Sequence, residues 1–199
     1  MSTEPTIKTY DKVAAQYAAR WQDRSMLETV TERFCALLSG GDLVLDAGCG
    51  PGFDAAILRR RGLRVVGLDR SWGMLQVGQE QFPGWFVQAD MRSLPLSTAF
   101  HGVWANASLL HLRREDLVRA LRDFRRLLLP GGVLFAAVKA GEGSEWRSSA
   151  YGSEAPRFYT YWQPDALDAA LARAGFQIEQ RWQDGGDETT WLNRLARPS

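Results

Sequence analysis

The feature that most constrains the fold is a glycine-rich turn that directly follows a short apolar run. Leu43-Val44-Leu45-Asp46 has the length and composition of a buried strand, and Ala47-Gly48-Cys49-Gly50-Pro51-Gly52 comes directly after it. Glycine lets the backbone turn sharply and approach a ligand closely. In an open α/β sheet, ligands bind beyond the carboxyl ends of the strands, which is where this turn lies. The turn therefore predicts an α/β fold with a binding site at that edge.

The rest of the chain alternates strand-like and helix-like stretches, as expected for a parallel sheet covered by helices. Apolar runs predict further strands at 64–69, 85–88, 102–105 and 133–138. Periodicity and helix-ending residues predict helices at 53–61, 72–81, 115–129 and from 164 up to the glycine at 175. Two closing strands, at 176–179 and 189–192, are predicted to form an antiparallel hairpin.

Three connecting features complete this prediction. Pro130-Gly131-Gly132 is predicted to stop the helix before the fifth strand. Two helices are predicted ahead of the sheet, and Ser25-Met26-Leu27-Glu28 fits a capping box at the start of the second. Residues 141–163 show no periodicity and are predicted to be a long loop, which in a compact domain is often functional.

Length and composition indicate one globular domain. The chain has 199 residues, of which 45% are hydrophobic and 24% charged. We expect a single domain over 1–199, with N-terminal helices or a lid over 1–40, an α/β core over 41–199, and the 141–163 loop as a cap on the substrate. No apolar run is long enough to span a membrane and the N-terminus is polar, so a cytoplasmic protein is expected. The oligomeric state stays open.

Charge and ligand counts disfavour two classes of function. The net charge is +1, so no nucleic-acid signal is evident, although a local patch could hide in a balanced total. The chain has two cysteines and two histidines, with no C-x-x-C pair, so we expect no disulfide scaffold and no metal centre.

The spacing of the glycines and the acid before them predict the ligand. A dinucleotide fingerprint is G-x-G-x-x-G, whereas Gly48, Gly50 and Gly52 follow one another as G-x-G-x-G. Asp46 would repel a pyrophosphate but suits an ammonium group. A methionine-like tail carries one, so the turn favours S-adenosylmethionine over NAD.

Two further acids follow successive strands. Asp69 ends the second strand, where a carboxylate can accept hydrogen bonds from both ribose hydroxyls. Asp90 follows the third strand and can accept from an adenine amino group, while the backbone N–H of Met91 could reach a ring nitrogen. Either acid alone could be a helix cap. Together with Asp46 they predict a graded site for ammonium, ribose and adenine.

At this point the chain resembles the class I S-adenosylmethionine-dependent methyltransferases, over roughly residues 40 to 195. The segments that carry the resemblance are Val44 to Gly52, Val66 to Ser71, Phe100 to Leu112 and Leu127 to Leu134. The resemblance implies a doubly wound, mostly parallel seven-stranded sheet with an antiparallel last strand, and S-adenosylhomocysteine as product. Residues 10–17 also resemble a lid of the small-molecule branch. The segment Asn106-Ala107-Ser108-Leu109 departs from the pattern of base N-methylases.

The candidate residues follow from these observations together. The cofactor-binding candidates are Asp46, Gly48, Cys49, Gly50, Gly52, Asp69, Arg70, Asp90, Met91, Asn106, Tyr10 and Tyr17. His111 is the best candidate for a general base, although a histidine that is hydrogen-bonded to a neighbouring loop is the favoured interpretation. Cys49 is expected to be a small residue that fits the turn and not a nucleophile.

The acceptor and the alternatives are less constrained. The aromatic side chains of the 141–163 loop would suit a planar or apolar acceptor, and Arg147 and Arg157 would suit an anionic one, although ordinary packing explains them too. We expect a small-molecule acceptor. An RNA or protein methyltransferase and a non-catalytic cofactor-binding subunit remain alternatives, whereas an NAD oxidoreductase lacks the required glycine spacing.

Overall fold

A computed structural model describes residues 3–97, 99–149, 151–186 and 189–199. The helices are α1 (Glu4–Arg20), α2 (Glu28–Cys35), α3 (Phe53–Arg60), α4 (Trp72–Gln81), α5 (Arg114–Leu127) and α6 (Pro164–Arg173). The strands are β1 (Leu43–Ala47), β2 (Arg64–Asp69), β3 (Trp85–Gln88), β4 (Phe100–Asn106), β5 (Leu128–Lys139), β6 (Ser144–Ser149), β7 (Gly152–Thr160), β8 (Phe176–Gly186) and β9 (Thr189–Pro198). No helix in these ranges is long and apolar enough to cross a bilayer.

The main sheet has the predicted architecture. Within the described residues it holds seven strands in the order β3-β2-β1-β4-β5-β9-β8. Strands β1 to β5 run parallel, and β9 pairs antiparallel with both β5 and β8. Within the sheet, the chain passes from β1 outward to β2 and β3, and then returns to β4 on the other side of β1. Strands β1 and β4 therefore flank the switch point where open α/β sheets bind ligands. The doubly wound fold with an antiparallel last strand is confirmed.

Alternate side chains of the central strands pack on opposite faces of the sheet. Val44 and Trp104 pack with the apolar side chains of α2 and α3. Leu45 and Val103 pack with those of α5 and α6. Because both faces are covered, the central strands are apolar throughout, which is why they read as continuous hydrophobic runs in the sequence.

The end of α5 differs from the prediction. The helix runs over Arg114–Leu127 and stops before the Pro-Gly-Gly turn, not at it. Leu128 already pairs with Phe100, and the register then shifts so that Gly102 pairs with Val133. The turn is therefore an irregularity inside β5. Gly131 has φ +78°, a conformation that a glycine adopts without strain.

Two other predictions were wrong. Residues 141–163 are not an irregular loop, because β6 and β7 within them pair as a separate antiparallel hairpin. Strand β6 is polar and exposed, and β7 begins with polar residues and contains Pro156, so neither has the apolar alternation by which strands are recognised. The expected capping box is absent as well: Ser25 begins a short 3-10 turn, and α2 starts three residues later without a side-chain cap. Instead, the backbone N–H of Ser25 donates to Asp23.

Candidate active site

A cleft that is partly open to solvent lies at the carboxyl ends of β1, β2 and β4. Eleven of the predicted site residues line it: Tyr10, Tyr17, Gly48, Cys49, Gly50, Asp69, Arg70, Asp90, Met91, Asn106 and His111. Asp46 and Gly52 lie beside the cleft without lining it.

The glycine turn is shaped by close approaches that exclude side chains. Gly48 has φ +80°, and a Cβ there would lie 2.3 Å from Cβ of Ser108. Gly52 has φ +82° and precedes α3, and a Cβ there would lie 2.8 Å from the ring of Phe86, so this glycine allows close packing. Gly50 has φ +54° and open space where a Cβ would stand. Only Gly50 therefore leaves room next to the backbone for a ligand.

Asp69 ties this turn to the end of β2. Its Oδ2 accepts from the backbone N–H of Gly50 at 2.8 Å, and its Oδ1 accepts from that of Ser71 at 2.8 Å. Each carboxylate oxygen has a second lone pair, so the group can still accept from two hydroxyls. Burial nevertheless raises the pKa of Asp69 above its ordinary value. The carboxylate thus shapes the turn and faces the cleft at once.

Asp46 is a buried carboxylate with an unused acceptor. The residue is 2% exposed, and its Oδ2 has no hydrogen-bond partner among the described residues. Burial, and next the negative charge of Asp54, raise the pKa of Asp46 well above its usual range. A buried charge without a partner is costly, so this atom marks a place where a cationic group would be stabilised.

Sequence reasoning missed an ion pair next to Asp46. Arg24, between α1 and α2, lies 2.9 Å from Oδ1 of Asp54 in the first turn of α3. Trp104 and Asn106 both donate to Oδ2 of Asp54, at 3.0 and 2.8 Å. Arg24 and Asp54 line the cleft, and Nε of Arg24 is buried without a partner among the described residues. An acid two residues after the third glycine is the one sequence signal that could have indicated this pair.

Asp90 is more fully engaged than the sequence predicts. Arg92 binds both of its carboxylate oxygens, at 2.5 to 3.0 Å, and Nε of Arg70 lies 3.3 Å from Oδ2. Burial alone would raise the pKa of Asp90, but the hydrogen bonds from Arg92 outweigh it and lower the pKa. Arg70 continues the chain of charges to Glu4 on α1, at 2.5 Å.

The segment after β4 forms the cleft wall opposite the turn. Ala107 has φ +52°, which is uncommon for a residue with a Cβ, and strained residues of this kind cluster at active sites and ligand-binding sites. Oγ of Ser108 donates to the carbonyl of Ala47 at 2.6 Å and so fixes this wall to β1. Neither residue was a candidate, because a strained backbone is not visible in a sequence.

Helix α1 covers the cleft and is attached on two sides. Asp11 accepts from Oγ of Ser71 and from the backbone N–H of Gly73, at 2.7 and 3.0 Å. On the other side, Oγ of Thr6 accepts from the N–H of Phe158, and Oγ of Thr9 donates to the carbonyl of Pro156. The helix therefore bridges α4 and the β6–β7 hairpin above the cleft.

His111 has both ring nitrogens bonded. Nδ1 lies 2.7 Å from the carbonyl oxygen of Phe158, and Nε2 lies 2.8 Å from the hydroxyl of Tyr10. A carbonyl can only accept, so Nδ1 carries the proton and Nε2 accepts from Tyr10. Burial lowers the pKa of His111 to about 4 and raises that of Tyr10. A neutral histidine bonded in this way is a weak base at neutral pH.

Two further features bear on the chemistry. Burial raises the pKa of the Cys49 thiol well above its usual range, so the thiol stays protonated. No group of three or more histidine, cysteine, aspartate or glutamate side chains in the described ranges is arranged to hold a metal ion.

Comparison with known proteins identifies related sequences. Residues 44–132 match the family model described as a methyltransferase domain. The malonyl-[acyl-carrier protein] O-methyltransferase of Enterobacter lignolyticus is 35% identical over 136 residues, which are 65% of this chain and 52% of that protein. The trans-aconitate 2-methyltransferase of Azoarcus sp. is 35% identical over 57% of this chain and 49% of its own length. The chain thus spans about half the length of these relatives.

A solved structure shares the fold over nearly the whole chain. The 1,6-didemethyltoxoflavin-N1-methyltransferase of Burkholderia thailandensis, solved with its substrate and S-adenosylhomocysteine, superposes with a TM-score of 0.76 at 23% identity. The match covers 97% of this chain and 88% of that one, so the N-terminal helices are included.

Proposed function

Because the chain belongs to the class I S-adenosylmethionine-dependent methyltransferases, we propose that it transfers a methyl group from S-adenosylmethionine to a small-molecule acceptor. The glycine turn, the acid at the end of β2 and the covering helix α1 are where a nucleoside ligand of this kind would lie.

The observation that carries the proposal is a buried hydrogen-bond acceptor and a buried hydrogen-bond donor that are both unused. Oδ2 of Asp46 is an acceptor without a donor, and Nε of Arg24 is a donor without an acceptor, among the described residues. Arg24 pairs with Asp54, Asp54 accepts from the indole of Trp104, and Trp104 is the register partner of Asp46 between β4 and β1. These contacts bring the two groups into the same part of the site. The amino-acid end of S-adenosylmethionine carries one ammonium and one carboxylate, which would satisfy both atoms.

The remaining contacts extend away from this pair. Asp69 would accept from the ribose hydroxyls with its free lone pairs, and Met91 and Asp90 lie where the adenine would be enclosed. The backbone N–H of Gly50 is already used by Asp69, so this glycine contributes space and not a donor. Tyr10 and Tyr17, on α1, would close the cleft and exclude water from the methyl group.

The bound cofactor supplies a methyl group on a positively charged sulfur, which is already activated for displacement. The protein's part is then to align the acceptor and exclude water. Tyr10 and His111 border the cleft beside the β6–β7 hairpin, so this end would hold the acceptor. Because the relatives named above act on an acyl-carrier-protein-bound group or on a free acid, a carrier-bound acceptor is the second candidate.

Labelled methyl transfer tests the proposal. The protein is incubated with S-adenosylmethionine carrying a labelled methyl group and with two pools, a metabolite extract and acylated carrier proteins. We expect label in a small organic product and release of S-adenosylhomocysteine. Label on the carrier-bound pool alone would favour the second candidate. No label in either pool, or label in added RNA or protein, would contradict the proposal. A cytoplasmic location stays a prediction.

A further inference from the structure

The acceptor end of the cleft gathers two positive charges on one aromatic ring. Lys139 ends β5, and its Nζ lies 5.0 Å from the ring centre of Tyr159. The guanidinium carbon of Arg157, on β7, lies 5.4 Å from the same centre. Tyr159 lies 5.0 Å from the ring of His111, and Arg157 donates to the hydroxyl of Tyr10 at 3.2 Å. His111 and Tyr10 line the cleft, so the two cations lie behind this part of its wall.

Neither cation is neutralised by a carboxylate in the described part of the chain. Among the described residues, Lys139 contacts the rings of Tyr159 and Trp191. Arg157 donates to the hydroxyl of Tyr10, and its Nε is buried without a hydrogen-bond partner in the same part of the chain. Burial, followed by the positive charges of Arg147 and Arg157, lowers the pKa of Lys139. Two half-buried like charges destabilise each other, and an anion held by both would offset that repulsion.

At the same end of the cleft, the two described side chains that could accept a proton, Tyr10 and His111, are both hydrogen-bonded. Arg157 donates to the oxygen of Tyr10 at 3.2 Å, so the single proton of Tyr10 points to Nε2 of His111. Nδ1 of His111 donates to the carbonyl of Phe158, so the available lone pair of the ring is on Nε2, and the proton of Tyr10 occupies it. Proton removal from an alcohol or ammonium acceptor would have to break this chain of hydrogen bonds. An acceptor that is already ionised needs no such step.

We propose that Lys139 and Arg157 bind a carboxylate of the methyl acceptor, and that this carboxylate is the group methylated. The inference rests on the proposed function and names its acceptor class. A carboxylate oxygen forms the new bond to the methyl carbon as the sulfur–carbon bond breaks, and that bond's electron pair stays on sulfur. The products are a methyl ester and a neutral thioether, and no proton is transferred. Lys139 and Arg157 are specificity-determining residues in this scheme.

Binding measurements test the cation pair without turnover. The carboxylate probes are trans-aconitate, malonyl-pantetheine and benzoate, each compared with its primary amide. Calorimetric titration is made into protein saturated with S-adenosylhomocysteine, for the wild type and for Lys139→Gln and Arg157→Gln. Arg119→Gln, which removes an exposed charge from α5, is the matched control. We expect at least one carboxylate to bind tenfold or more tightly than its amide, and each variant of the pair to lose that preference.

Steady-state kinetics distinguish binding of the carboxylate from catalysis of its methylation. We expect Lys139→Gln and Arg157→Gln to raise KM for the bound carboxylate tenfold or more, with kcat changed less. The wild-type kcat should stay level between about pH 6 and 8, because no group in the described site has to lose a proton there. Methylation of alcohols or amines in preference to carboxylates would overturn the inference, as would unchanged carboxylate affinity in both variants.

The affinity for S-adenosylhomocysteine, measured on the same samples, distinguishes the two proposals. We expect it to stay within about twofold of the wild type in every variant, because neither cation lines the nucleoside part of the cleft. Absence of that binding in the wild type would contradict the proposed function. Normal binding without any carboxylate preference would overturn only the acceptor inference.

Discussion

At the scale of single residues, the site buries charged groups that have unused hydrogen-bonding atoms. Asp46 is buried with an unused oxygen, and Arg24 is buried with an unused nitrogen. Each buried group destabilises the protein without ligand, and binding of a partner of opposite charge offsets that cost. Such residues are retained for binding at the expense of stability.

Asp46→Asn tests whether this residue lowers stability and raises affinity for the ligand. The substitution removes a buried charge whose pKa burial raises well above its usual range, so the protein without ligand should become more stable. The affinity for S-adenosylhomocysteine should fall by tenfold or more, because a hydrogen bond between charged groups is worth about 1.5–3 kcal/mol. Thermal unfolding and calorimetry on the same samples measure both effects. A less stable variant with unchanged affinity would contradict the role given to Asp46.

His111 predicts a dependence of stability on pH. Burial lowers its pKa to about 4 in the folded protein, below the ordinary value of 6.5. The unfolded chain therefore binds the proton first, and stability present above about pH 6.5 is lost as the pH falls toward 4. Between pH 7 and 5 the wild type should lose about 2 kcal/mol more than His111→Gln. Urea unfolding at both pH values measures this, and equal losses would mean that His111 is not held neutral.

At the scale of elements, helix α1 converts an open sheet edge into a covered cleft. Asp11 attaches it to the start of α4, and Gly73 is required there because a Cβ would lie 2.7 Å from the carbonyl oxygen of Asp11. Thr6 and Thr9 attach it to the β6–β7 hairpin. The two attachments lie on opposite sides of the cleft, so loosening either of them would widen the cleft.

Asp11→Ala should loosen one side of α1 while leaving the other intact. We expect faster amide exchange in α1, by tenfold or more, and faster dissociation of S-adenosylhomocysteine, because the helix loses both hydrogen bonds to α4. Asp23→Ala, which removes a carboxylate that bonds only within its own turn, is the control. Exchange in α1 that matches the wild type and the control would mean that Asp11 does not hold the helix down.

The sequence predicts the sheet better than its surroundings, for physical reasons. Strands β2 and β3 and helix α4 have the predicted bounds, because a parallel sheet buried on both faces imposes apolar runs that end at glycines and acids. The β6–β7 hairpin was not predicted because β6 is polar and exposed and β7, although partly buried, contains a proline and lacks apolar alternation. Arg24 and Lys139 were missed because their roles depend on contacts between segments distant in the chain.

At the scale of the whole molecule, a net charge of +1 conceals a separation of charge. Acids cluster at the ends of β1 and β2 and in the first turn of α3, where the cofactor's ammonium and ribose would bind. Cations without acidic partners gather at the end of β5 and on β7, among the described residues. The central claim is that the acidic end, completed by Arg24, recognises an amino acid joined to a nucleoside.

The most direct test compares S-adenosylhomocysteine with 5′-methylthioadenosine, which keeps the adenosine and the thioether but lacks the amino-acid group. Both are titrated calorimetrically into the wild type, with NAD as a third ligand. If Asp46 and Arg24 bind the ammonium and carboxylate, S-adenosylhomocysteine should bind about a hundredfold more tightly, since two charged hydrogen bonds contribute about 3 kcal/mol. NAD should not bind. Equal affinity for the two thioethers, or tighter binding of NAD, would contradict the account.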